Sequence, residues 1–121
     1  MAMAWSIQPI GVDLERLDRC FPAAALAARF FTPDDCHELQ PLQGERLRLA
    51  VLSQWVAKEA SIKWQRGSLA KDLGQWGCTA KSGVARHSGS KQAVSICRFS
   101  LDPWLVAVAG GEGQIGPVCM R

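Results

Sequence analysis

Polar and apolar positions alternate in "PIGVDLERLDR", residues 9 to 19. The pattern predicts a strand that sends Asp13 and Glu15 to one face, with Leu14 on the other. Like charges side by side on one sheet face repel, so this placement asks for something positive between them. Upstream, "MAMAWSI" predicts another short strand, separated by a turn around Pro9. The alanine-rich "FPAAALAARFF" predicts a helix from Pro22 to Phe31. "TPDDCHEL" carries its own start signal, with Thr32 as N-cap, Pro33 at the first helical position and Asp34 and Asp35 in the first turn; this helix should stop near Pro41. The longest element begins near Gly44 and runs through "ERLRLAVLSQWVAKEASIKWQRG" to a stop at Gly67. Three strands follow, in "GCTAKSGVARH", "QAVSICRFSLD" and "WLVAVAGG", the first two joined as a hairpin through "SGSK". From Gly110 onward the glycine-rich tail predicts loose chain. Strands, then helices, then antiparallel strands argue an α+β fold in which an antiparallel sheet packs against one long helix and shorter helices.

Composition narrows the class. The 121 residues, 48% hydrophobic and 21% charged, suit a single folded domain spanning residues 1–121. A net charge of +3 favours an anionic ligand or acidic partner protein but is too weak to argue for nucleic acid. The five cysteines form no CxxC pair, and only His37 and His87 are available to join them on zinc. Reduced thiols in a cytoplasmic protein are therefore expected. The N-terminal segment lacks the early basic residue of a signal peptide, and no apolar run nears the ~18 residues of a membrane span.

On the long helix Leu52, Trp55, Glu59 and Ile62 share a stripe, which puts Glu59 at the margin of the buried face with Lys63 one turn further on. One reading of that pair is an ordinary surface i, i+4 contact worth about 0.3–0.5 kcal/mol. The other starts from the desolvation of a carboxylate beside Trp55, which a metal or cationic ligand would offset. If the strand ending at Glu15 lies along this helix, Asp13, Glu15 and Glu59 converge into three hard oxygen ligands. That set suits Mg²⁺ with room left for water and phosphate, and Lys58 and Lys63 would supply positive charge for the phosphates.

"IGVDLE", then "ARFFTPDD", then "WVAKEASIK" resemble, in order and separation, the motifs of the 4′-phosphopantetheinyl transferases. With "PWLVAVAGG" as a terminal strand, the similarity covers Pro9 to Gly110. The resemblance implies transfer of the 4′-phosphopantetheine arm from coenzyme A to a serine of an acyl or peptidyl carrier protein, releasing adenosine 3′,5′-bisphosphate. It implies Asp13, Glu15 and Glu59 as Mg²⁺ ligands, Lys63 on the pyrophosphate with Lys58 beside it, and Glu59 or a metal-bound water as acceptor of the serine proton.

The chain mixes two classes of that family. Its length and "DLERLDR", with Arg19 facing the carrier protein, resemble the short, trimeric holo-acyl-carrier-protein synthases. Glu15 and "WVAKEA" are closer to the surfactin-type class, of which this sequence corresponds to the C-terminal half. The family's glycine-rich turn after the long helix is altered to "WQRGSL", with Arg66 and Ser68 where glycines are usual. His87-Ser88 lies outside the position of the histidine–serine motif of the first half and reads as hairpin turn.

These features imply a transferase of fatty acid or polyketide biosynthesis acting as a homo-oligomer, dimer or trimer, since a half-size unit needs a second surface to complete the coenzyme pocket. The alternative is a non-catalytic carrier-protein-binding module with an incomplete coenzyme A site. The five tryptophans read as core or interface anchors, Trp64 being the candidate for an oligomer contact. Arg46 and Arg48 read as a solvated face.

Overall fold

The computed structural model describes residues 9–79 and 81–111. Along the chain run β1 (Ile10–Arg16), α1 (Ala23–Phe30), α2 (Pro33–Leu39), α3 (Gly44–Gln65), α4 (Leu69–Asp72), β2 (Trp76–Gly77), β3 (Val84–His87), β4 (Ala93–Leu101) and β5 (Trp104–Gly110). The strands form one sheet in the order β1-β5-β4-β3-β2, every neighbouring pair antiparallel. This is the expected α+β architecture. The expected strand in "MAMAWSI" and most of the expected loose tail lie outside the described residues.

Local chemistry accounts for the helix boundaries. Thr32 caps α2 by accepting the Asp35 N–H at 3.3 Å, with Pro33 behind it. The left-handed residue that ends α3 is Arg66 (φ 60°), with the Gly67 N–H closing back onto the Ile62 carbonyl at 3.0 Å. The stop thus falls one residue before the expected glycine. α4 is a short helix that the hydrophobic pattern does not signal. Ser68 caps it by accepting the Lys71 N–H, and Asp72 returns to accept the Ser68 N–H. The segment "GCTAKSGVARH" is not one strand: Gly77 ends β2 and Val84–His87 is β3, and between them Arg98 of β4 donates to the Thr79 and Ser82 carbonyls at 2.8 and 2.6 Å. The β3–β4 turn falls at "SGSK" as expected, with Lys91 at φ 64°.

α3 is covered on two sides. Towards the sheet, Val56, Ala57, Ala60 and Ile62 pack with Trp76, Ala85, Val94, Ile96, Ala107 and Ala109. On its other flank, Val51 joins Ala27 of α1, Phe31 of the two-residue link that follows it and Leu39 of α2. Trp64, expected at an exterior contact, is half-buried and meets the Trp76 ring edge-on at 6.2 Å. Arg48 is likewise not simply solvated: Glu45 holds it while it donates to the Leu17 and Arg19 carbonyls at 2.7 and 2.8 Å, tying the end of β1 to α3. Cys20, Cys36 and Cys78 are free thiols. Cys97 is disulfide-bonded, so the expectation of reduced thiols throughout does not hold there.

The contact that sets the site is between Gly11 and α3. A Cβ added at Gly11 would stand 2.1 Å from the Ala60 carbonyl oxygen and 2.4 Å from the Trp64 nitrogen, both backbone atoms that have no rotamer in which to retreat. Gly11→Ala should therefore push β1 off the helix and destabilise the protein by about 3 kcal/mol or more, read as a lowered urea midpoint.

Candidate active site

Because strand faces alternate, the Gly11 contact determines what lies beneath α3: Gly11, Asp13 and Glu15 share the helix-facing side of β1. Asp13 pairs in register with Ala107, itself part of the core under α3. Its Oδ1 accepts a hydrogen bond from Lys63 Nζ at 2.8 Å, joining β1 to the last turn of α3. Its Oδ2 is buried and, among the described residues, has no hydrogen-bond partner. A buried carboxylate oxygen without a donor is costly, and this one is half of a group already stripped of water.

Glu15, two residues on, accepts from Arg19 Nη1 at 2.7 Å. Glu59 lies on α3 one turn before Lys63, and no hydrogen bond from the described residues reaches its carboxylate. The surroundings raise its pKa above the ordinary value, first through burial, then through the negative charge of Asp13, with Lys63 and Arg19 opposing and Glu15 adding. Burial likewise raises the Asp13 pKa, against the pull of Lys63. The hydrogen bond to Asp13 raises that of Lys63. Three carboxylates and two cations thus share one field, leaving one negative charge uncompensated.

Among the described residues, no three His, Cys, Asp or Glu side chains stand close enough together to grip a metal ion as they are. Asp13 is turned to Lys63 and Glu15 to Arg19. The chemistry of the donor set nevertheless fits a hard divalent cation: three carboxylates, one with a buried oxygen that has no hydrogen-bond partner among the described residues.

Lys58 is not part of this group. Five residues from Lys63 in a helix of 3.6 residues per turn, it points to a different side of α3. There it is fully buried, bonded to the Asp35 carboxylate and to the Trp76 carbonyl at 2.5 Å, with its ammonium 4.6 Å from the centre of the Phe31 ring. Asp35 also accepts the Cys78 N–H at 3.2 Å. Lys58, expected beside the phosphates, thus has its ammonium wholly enclosed and away from the β1 acids. Asp35, read as a helix-start acid, is the partner that the sequence pattern does not reveal. On this side a groove of about 510 Å³ opens between Thr32, Asp34, Gly77, Cys78, Arg86 and Ser88, with none of the acids of the β1 site in its wall. A small apolar hollow bounded by Arg19, Phe21, Leu26, Leu52 and Trp55 opens on the other side.

His87 and Ser88 lie at the end of β3 and in the turn that follows, as expected. His87 Nε2 meets Asp72 Oδ1 at 2.8 Å, which anchors the chain that follows α3 to the sheet.

A helix laid over a strand that carries two acids, with a third acid and a lysine on the helix itself, gathers charges of both signs at one place on the sheet. The family model described as "ACPS: 4′-phosphopantetheinyl transferase superfamily" matches residues 9–109, and the chain belongs to that superfamily. It is thus a transferase of the phosphopantetheinyl kind. No curated protein matches the chain. Among the described residues, no helix is long and apolar enough to cross a membrane.

Proposed function

We propose that this protein transfers the 4′-phosphopantetheine arm of coenzyme A to a serine hydroxyl of an acyl or peptidyl carrier protein in a Mg²⁺-dependent reaction. The observation that carries the reading is the buried, unpartnered Asp13 Oδ2 with Glu59 and Lys63 beside it. Asp13, Glu15 and Glu59 would hold the metal, whose chemistry is to neutralise charge on the pyrophosphate. Lys63, at the end of α3, would contact the pyrophosphate as a point charge. Glu59 would take the proton from the serine, and burial beside the Asp13 charge, which raises its pKa, makes its carboxylate a stronger base than a free one. The serine oxygen–phosphorus bond forms as the pyrophosphate bond breaks, and adenosine 3′,5′-bisphosphate leaves. A second copy of the chain would complete the coenzyme pocket, and a cytoplasmic location, with the enzyme serving fatty acid or polyketide assembly, belongs to the same reading.

The holo-acyl-carrier-protein synthase type of activity is distinguished from a carrier-binding module by product. The altered turn after α3, with Arg66 in the left-handed conformation, is the observation that keeps the module in view. Apo carrier proteins incubated with the chain, coenzyme A and Mg²⁺ should gain the mass of one arm, and chelator should abolish the gain. Carriers that bind yet stay unmodified would identify the module instead.

A further inference from the structure

The cations nearest the metal-site acids are already in use. Lys63 holds Asp13 at 2.8 Å and Arg19 holds Glu15 at 2.7 Å. In each pair the anion is the buried member: the Asp13 and Glu15 side chains are 9% and 18% exposed, those of Lys63 and Arg19 53% and 46%. The carboxylates are therefore fixed by the fold, whereas their partners reach in from water on long side chains that can leave. Ion pairs with so exposed a member contribute little to stability, so giving them up is easy.

We propose that Lys63 and Arg19 are built-in counterions, which hold Asp13 and Glu15 while the site is without metal and are displaced from them when a divalent cation is taken up. The inference rests on reading Asp13, Glu15 and Glu59 as the metal ligands. It accounts for Asp13 and Glu15 each facing its own cation although the acids share one field. It also settles a conflict of roles: an ammonium spent on Asp13 cannot at full strength bind a pyrophosphate. Once displaced, Lys63 has its charge free for the coenzyme. Arg19, whose guanidinium already lies 5.9 Å from the Phe21 ring and borders the apolar hollow, has its charge free for an acidic protein surface. Metal uptake and recognition of both anionic partners are then coupled with the same sign, each favouring the other.

The test is the affinity of the full chain for Mn²⁺, followed by electron paramagnetic resonance without coenzyme A or carrier. Lys63→Gln and Arg19→Gln each remove a competitor and should bind Mn²⁺ about 5-fold or more tightly than the unaltered chain, within the range of ordinary coupling energies. Equal or weaker binding in both variants would overturn the exchange. Asp13→Asn serves as the control for the underlying reading: if it bound Mn²⁺ as well as the unaltered chain, the acids would not be the metal site at all, whatever the lysine and arginine variants did. Absence of Mn²⁺ binding in every variant would sink the metal reading and the exchange together.

Discussion

Glu59→Gln is expected to lower the rate of arm transfer at least about 100-fold while leaving the protein more stable than before at pH 8. The two effects have one origin. In the folded chain Glu59 is held above the ordinary carboxylate pKa of 4.5, because burial and the Asp13 charge penalise its ionised form. Since the folded pKa exceeds the unfolded one, the favourable contribution of the protonated group is fully present below the unfolded value and is lost as pH rises through the folded value. Above that range the charged Glu59 weighs against folding, and glutamine, of nearly the same shape, does not. Urea denaturation should show the variant matching the unaltered protein near pH 4, gaining on it as pH rises through the folded pKa of Glu59, and keeping that advantage above it. The activity loss follows from removing both the proton acceptor and a metal oxygen. A residue kept only for an i, i+4 surface pairing with Lys63 would behave in the opposite way, with stability slightly lowered and transfer intact. Asp13→Asn should also silence the enzyme, but its stability effect is smaller, because Lys63 loses its hydrogen-bonded partner as the buried charge is removed.

What the sequence discloses depends on range. Helix-forming composition locates α1, the Thr32 cap with Pro33 locates α2, and the break at Gly67 locates the end of α3, because those signals lie within a turn of the residues they govern. Alternation in β1 is enough to put Asp13 and Glu15 on one face, and the i, i+4 spacing to put Glu59 and Lys63 on another element. That the two faces meet depends on Gly11, whose missing Cβ lets the α3 backbone approach; a lone glycine in a strand does not announce which neighbour needs the space. Between β2 and β3, Arg98 takes the Ser82 and Thr79 carbonyls, 16 and 19 residues away, which no local pattern encodes. The role of Lys58 is hidden for the same reason. Next to Glu59 in sequence it reads as a second phosphate ligand, but adjacent residues in a helix point about 100° apart, and its partner Asp35 lies 23 residues upstream.

That buried pair leads to the other large effect. Lys58→Met should destabilise the protein by about 3–5 kcal/mol, as expected when one member of an enclosed ion pair is removed and the other is left charged and dry. Asp35 would retain the Cys78 N–H but lose its counterion, and the Trp76 carbonyl would lose its donor. Against the roughly 5–15 kcal/mol that holds a typical domain together, such a loss is severe, and the urea midpoint should fall accordingly. The paired variant Lys58→Met with Asp35→Leu should recover most of it, since two apolar side chains need no mutual charge compensation. Recovery separates a structural pair from a functional lysine, because a phosphate-binding charge removed from position 58 is not restored by a change at position 35. The transfer kinetics divide the same way. If Lys58 only braces α3 against α2 and β2, the paired variant should keep its KM for coenzyme A. A folded paired variant with a strongly raised KM would mean instead that the Lys58 ammonium reaches the phosphates after all, by a rearrangement that exposes what is here the most enclosed charge on α3.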